Sequence, residues 1–314
     1  MNFTKIALLV AGMMITIPIL GSDIYRMDLS PYSHDHALTR QEPADLFQSP
    51  SIINSPTAGQ SFDAGLIRVV NDPFGGAGKV LSIQFRGGVG GIGTADNPSG
   101  GQWKIEFGGK AYEDLYMAME LGVDNNWITP KGMHLPFLTA TPFAANRKVD
   151  PDTWASFFQL YGNNSYVKKI SKPVHKHTID DAFALYYYNF AKAQSRAWFN
   201  TINPTEYSNR YLPHNGQVQL ARNGYISLEQ RLKLNSVPTY DAPEKDGLMQ
   251  AWANGKPAVD KRNFAWRRDA SQTIEHAWML WWTGGPRHSP EWAQPKDQII
   301  YLNSFVISDK PITH

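Results

Sequence analysis

From about residue 61 to its end, the chain is a succession of short alternating runs separated by Gly, Asn, Asp and Pro. Val80–Arg86 puts Val80, Ser82, Gln84 and Arg86 on one side and Leu81, Ile83 and Phe85 on the other. Tyr112–Val123 does the same, with Leu115, Met117, Met119, Leu121 and Val123 in register. Ala184–Phe190, Arg196–Asn200, Ile226–Leu234, Leu248–Trp252, His276–Trp282 and Gln298–Ile307 are further strand-like runs. Successive strand side chains point to opposite sheet faces, so such runs present one apolar face and one polar face. Many short strands with turn signals between them predict an all-β sandwich. Long amphipathic helices are absent from the pattern. Asp150–Tyr161 is ambiguous, because its Pro-Asp-Thr opening could start a helix. No internal repeat is evident.

Composition narrows the function classes. The 314 residues suffice for one large domain or two modest ones. Hydrophobic residues make up 42% and charged residues only 18%, which argues against intrinsic disorder. Thirty basic against 28 acidic residues leave a net charge of +2, too little for a nucleic-acid binder driven by bulk charge. With no cysteine, disulfides, thiolate metal sites and cysteine nucleophiles are excluded. Met1 to Lys5 is a short cationic start, and Ile6 to Leu20 carries no charge. Residues 1–22 thus have the shape of a secretory signal, or of an N-terminal anchor that is short for a full membrane span. Residues 23–60 read as a linker or an extended arm, and 61–314 as the domain. The expected location is secreted or periplasmic.

Several familiar spacings fail in context. Gly88, Gly90 and Gly93 satisfy G-x-G-x-x-G, but Thr94 to Pro98 follows instead of a helix that could hold phosphate. His34, His36, His175 and His177 form two His-x-His pairs without an evident third metal ligand. Glu120 and Asp124 stand alone, whereas retaining glycosidases need two carboxyls about 5 Å apart.

An ordered series closes the chain. It runs from Tyr225 to Asn235, through Asp246-Gly247, Gln250-Ala-Trp252, Asn254-Gly255, Arg267 and Arg268, and Trp281-Trp-Thr-Gly-Gly285, to the strand Ile300–Ile307. Upstream lie Asn71-Asp-Pro-Phe-Gly-Gly76 and Lys79–Gly87. Over residues 61–308 this resembles the polysaccharide lyases of families 14 and 20, the alginate and glucuronan lyases. The resemblance implies a jelly roll of two antiparallel sheets with a concave, substrate-binding face. For most aromatics packing between the sheets is expected, and Trp252, Trp278 and Trp282 are assigned to the core.

Carried over position by position, the family's Gly-Lys-Leu-Pro-Gly-Leu segment matches Met133-His-Leu-Pro-Phe-Leu138, which puts His134 at the catalytic lysine position. The family's Tyr-x-Tyr strand matches Tyr186 and Tyr188. Its Trp-Ser-x-Arg strand finds only Trp154-Ala-Ser-Phe157, so the serine and arginine are lost, and a Lys- and His-rich insertion at 165–178 follows. Eliminating a 4-linked uronate requires a neutralised carboxylate, a base for the C5 proton and an acid for the leaving oxygen. Tyr188 is expected as acid/base, with Tyr186 and His134 assisting, since an unperturbed His titrates near neutrality in either direction. Gln84, Arg86, Arg196 and Gln159 are candidates for the carboxylate. The mechanism requires neither metal nor cofactor. The expected partner is an acidic polysaccharide or oligosaccharide. A non-catalytic carbohydrate-binding module on the same fold is the alternative, and a sandwich-fold glycoside hydrolase is a third reading.

Overall fold

The computed structural model describes residues 23–49, 51–52, 56–140, 154–162, 181–189, 194–205, 216–284 and 292–312. The signal-like segment and the pair His175 and His177 lie outside these residues.

The described chain is built from strands and two short helices. The N-terminal part holds β1 (Asp23–Arg26), β2 (His36–Ala37), α1 (Glu42–Leu46), β3 (Ser51–Ile52) and α2 (Pro56–Asp63). Then come β4 (Ile67–Asn71), β5 (Lys79–Phe85), β6 (Gly101–Glu106), β7 (Asp114–Val123), β8 (Met133–Thr139) and β9 (Ala155–Tyr161). The chain continues through β10 (Ala182–Tyr188), β11 (Gln194–Trp198), β12 (Ile226–Lys233) and β13 (Gly247–Ala253). It ends with β14 (Lys256–Phe264), β15 (His276–Thr283) and β16 (Gln298–Ser308).

Two antiparallel sheets result. One has nine strands, in the order β14-β13-β12-β7-β16-β5-β4-β2, with β1 also paired to β16. The other has seven, in the order β11-β10-β9-β8-β15-β6-β3. This is the all-β sandwich expected from the alternation, and the jelly roll that the family resemblance implies. Within 150–161, the part the structure describes is strand from Ala155 onward.

The core is the apolar side of each alternation. Leu115, Met117, Met119, Leu121 and Val123 of β7 meet Phe183, Leu185 and Tyr187 of β10 and Ala277, Met279 and Trp281 of β15 in one buried cluster. Part of the segment read as a linker or arm belongs to this cluster. Leu29, Tyr32, Leu38, Leu46 and Phe47 pack into it.

The closing sequence motifs build hairpins and plugs. Asn254 and Gly255 both take positive φ, as a tight turn between antiparallel strands requires, and join β13 to β14. Buried Asn235 accepts from the backbone N–H groups of Trp266 and Arg267 at 2.7 and 2.9 Å and donates to the Arg267 carbonyl. Asp246 accepts from the Ser236 backbone N–H and hydroxyl, closing the same corner.

Three tryptophans expected to pack between the sheets lie outside that layer, although Trp278 is buried in a second cluster. In β15 the period of two gives Ala277, Met279 and Trp281 to the core, so Trp278 and Trp282 face out of the seven-stranded sheet. Trp252 shares the outer face of the nine-stranded sheet with Tyr116, stacked at 6.4 Å.

Candidate functional site

The outer face of the seven-stranded sheet carries a second cluster of aromatic side chains, and its register can be read row by row. One row runs Trp282, His134, Gln159, Ala184, Trp198 across β15, β8, β9, β10 and β11. The next runs Trp278, Phe137, Phe157, Tyr186, Arg196 across the same strands. Tyr188 lies two residues beyond Tyr186, in the row of Ala155.

A bulge puts His134 and Phe137 on the same face. They stand three positions apart, which in a regular strand would send them to opposite sides. On β9 their partners Gln159 and Phe157 are two residues apart, and the register breaks between them. Leu135 and Leu138 both enter the core while Phe137 joins the outer cluster. Pro136, which has no N–H to give a ladder, sits in this irregular stretch, where a strand tolerates it.

The polar groups on this face are linked. Tyr188 donates to the Tyr186 hydroxyl at 3.2 Å. The Arg196 Nε donates to the Tyr161 hydroxyl, which donates to Gln159 Oε1. The guanidinium also lies over the rings of Tyr161 and Tyr186, at 5.3 and 5.4 Å from their centroids. The His134 ring is edged by Phe157, Trp282 and Tyr186 at 5.4, 5.8 and 6.0 Å. Thus His134, Tyr186, Tyr188, Gln159 and Arg196 come together.

Gln84 and Arg86 do not join them. Leu81, Ile83 and Phe85 take the core side of β5, so Gln84 faces out of the other sheet, with the whole core between it and His134. Arg86, just past β5, donates to Asn97 Oδ1 at 3.1 Å. Gln84 thus lies on the other sheet, and Arg86 is held by Asn97 in the loop after β5. Tyr161 is the residue that sequence reasoning missed. Its parity with Phe157 and Gln159 was available once 155–161 was taken as a strand.

The environment sets the protonation states. Burial lowers the His134 pKa from 6.5 to about 4, and the Arg196 charge acts in the same direction. His134 is therefore neutral at pH 7, able to take a proton but without one to give as an imidazolium, which removes one of its two expected directions. Burial raises the Tyr188 pKa above 10; the Tyr186 hydrogen bond opposes this, the Tyr161 phenol adds to the rise, and Arg196 works against it. Tyr188 is a protonated phenol near neutrality.

The lost serine has a structural explanation. Trp154, Phe158 and Leu160 face the core, and Ser156 shares their parity, donating to Gln230 Oε1 of the opposite sheet at 2.9 Å. The outward position is Ala155, whose partner on β10 is Tyr188. Phe157, in the outer cluster, presents a ring beside Tyr186 where the family pattern has a guanidinium.

Other candidate chemistry resolves into structural pairs. His36 Nε2 meets Glu42 Oε1 at 2.7 Å, and His34 Nδ1 accepts from the Asn71 N–H. Glu120 accepts from Asn303 and Ser304. Among the described residues, no three His, Asp or Glu side chains are placed to hold a metal ion. In the row of Tyr188, Glu106 stands on β6, four strands away, and is tied to Lys104 and His276. It is too distant to pair with a second carboxyl beside Tyr188 as a glycosidase requires.

No protein-family model matches the chain, and no curated protein does. Solved structures do. The alginate lyase Aly36B superposes with a TM-score of 0.60 at 14% identity, covering 94% of this chain and 100% of that one. The marine PL-14 alginate lyase from Aplysia kurodai gives 0.60 at 13% identity, covering 91% and 98%. The alginate lyase vAL-1 from Chlorella virus gives 0.51 at 15% identity, covering 74% and 85%. The chain has their fold. A variant of Aly36B has been solved in complex with an alginate tetrasaccharide. The polysaccharide-lyase sandwich thus accounts for nearly the whole described chain.

Proposed function

We propose that the outer face of the seven-stranded sheet binds a uronate-containing polysaccharide and cleaves it by β-elimination, in an exported protein. The observation that carries this reading is the convergence of His134, Tyr186, Tyr188, Gln159 and Arg196. Two proton-transfer groups of different kinds stand beside a permanent cation. The structural likeness to alginate lyases supports the same substrate class.

Arg196, seconded by Gln159, faces the uronate carboxylate and stabilises charge as it develops there. Neutral His134 takes the C5 proton. The freed electron pair forms the C4–C5 double bond, the C4–O4 bond breaks, and the Tyr188 phenol protonates the departing O4. The imidazolium of His134 then releases its proton to solvent, and Tyr186, hydrogen-bonded to Tyr188, relays one from solvent to the Tyr188 phenolate, so both groups are restored. Each step uses a group in the protonation state its surroundings favour. No metal or cofactor is needed for it.

Product masses after incubation with alginate and with glucuronan test the reading. Elimination gives unsaturated products whose masses sum to that of the substrate. Products carrying one added water would mean hydrolysis, and binding without new products would mean a carbohydrate-binding module.

A further inference from the structure

One phenol in the candidate site has no part in the proton transfers proposed above. Tyr161 ends β9, on the face that carries Phe157 and Gln159. It is 2% exposed, and its ring packs against Trp198 with centroids 4.9 Å apart. The Arg196 guanidinium lies over the same ring while its Nε donates to the hydroxyl, and the hydroxyl donates to Gln159 Oε1.

The direction of both bonds is forced. A guanidinium has donors and no acceptor, so the phenol oxygen must accept from Arg196. The single phenol proton is then directed to Gln159, whose Oε1 only accepts. Packing needs the ring but not the hydroxyl, since a phenylalanine would fill the same place against Trp198. Other buried or half-buried phenols make their bonds away from this face: Tyr187 accepts from Lys261, and Tyr225 donates to Asp72. Tyr161, by contrast, joins two residues of the candidate site.

The consequence falls on Arg196. A long arginine side chain loses much rotamer freedom when it is held in one geometry. Donors fixed beforehand meet developing charge without reorganising at the moment of reaction. The bond at Nε fixes the plane of the guanidinium, and the rings of Tyr161 and Tyr186 flank it at 5.3 and 5.4 Å. The cation is thus set beside the hydrogen-bonded pair Tyr186 and Tyr188.

We infer that Tyr161 is a positioning residue: its hydroxyl, braced by Gln159, holds the Arg196 guanidinium in the orientation that meets the uronate carboxylate. This rests on the uronate-eliminating reading above and specifies how that site keeps its cation aimed. Tyr161 acts through Arg196, so its own burial is no obstacle to the role.

The test compares the parent with Tyr161→Phe, Arg196→Ala and the double variant on alginate and on glucuronan. The readout is the ultraviolet absorbance of the unsaturated product, followed long enough to resolve slow variants. Tyr161→Phe is expected to lower kcat about tenfold, the worth of one hydrogen bond, with KM changed by less than about twofold. In the Arg196→Ala background the same change should lower kcat by less than about twofold, because no guanidinium is left to position. An equal loss in both backgrounds, or an undiminished kcat in Tyr161→Phe, overturns the Tyr161 assignment and leaves the uronate reading standing. No product from the parent on either polymer overturns both. A second measurement needs no change at Tyr161. In parent protein labelled with 15N at arginine, the Arg196 Nε–H signal is identified by its absence from Arg196→Lys. It should exchange with solvent at least about tenfold more slowly than that of free arginine, as a held donor does. Exchange at the free rate overturns the assignment even where Tyr161→Phe fails to fold.

Discussion

His134 shows how neighbours rather than residue type decide what a side chain can do. On sequence alone a histidine at this position works as acid or base near neutrality. Ringed by Phe157, Tyr186 and Trp282, with Arg196 close enough to disfavour a second positive charge, it resists protonation until about pH 4. The unfolded chain takes that proton near pH 6.5. Between those values the unfolded state binds more protons, so stability falls as pH drops from about 6.5 towards 4 and levels off below. His276 has the same low value, chiefly through burial, and falls in the same window. Urea unfolding between pH 7 and pH 4 should therefore show a smaller acid loss in His134→Gln than in the parent. Identical pH slopes would mean that the imidazole is not held neutral by the fold. The acid limb of the reaction should likewise lie near pH 4 instead of 6.5, because protonation disables the base.

Among the elements, β8 carries the arrangement. Its irregular stretch at Leu135 and Pro136 lets His134 and Phe137 share a face, which strict alternation forbids. This is why strand β8 is absent from the alternating runs of the sequence and enters only through its Met133–Leu138 motif. Pro136 has no cross-strand partner on β9 or β15, so Pro136→Ala should cost less than about 1 kcal/mol. Leu135 is fully buried in the inter-sheet core, and Leu135→Ala should cost about 2–5 kcal/mol. Denaturant melts of the two variants check the contrast; equal costs would mean that the stretch is a regular strand. Asn235 is the counterpart in the nine-stranded sheet's hairpins. Asn235→Ala strands the backbone N–H groups of Trp266 and Arg267, for a loss of about 1–3 kcal/mol per buried donor. A melt within 0.5 kcal/mol of the parent, the range usual for surface changes, would contradict that role.

Across the whole molecule, fold and site were unequally legible. The alternation of β5, β7, β10, β12, β13, β15 and β16 announces a two-sheet sandwich, because a period of two is what a half-buried strand writes into a sequence. The closing motifs proved to be architecture: Asn235 and Asp246 tie a corner, and Asn254-Gly255 turns a hairpin. A likeness built on residues that shape turns and corners speaks for the sandwich and says little of the reaction. The site instead depends on which strands are neighbours. Nothing local in Gln84 or Arg86 reveals that β5 lies in the opposite sheet, and nothing local in Tyr161 reveals that it bridges Arg196 to Gln159. Likewise, Trp278 and Trp282 look like core until β15 is given its sheet and its facing side.

The proposed chemistry rests on a phenol that burial keeps protonated at Tyr188. Following ultraviolet absorbance while the protein acts on alginate and on glucuronan compares the parent with Tyr188→Phe, since elimination leaves a double bond conjugated to the carboxylate. The absorbance should rise with the parent on at least one polymer. It should rise about 10²–10⁴ times more slowly with Tyr188→Phe, the usual contribution of a positioned proton donor. An undiminished rate in Tyr188→Phe, or a flat trace from the parent on both polymers, would contradict the proposal that this face performs uronate elimination through Tyr188.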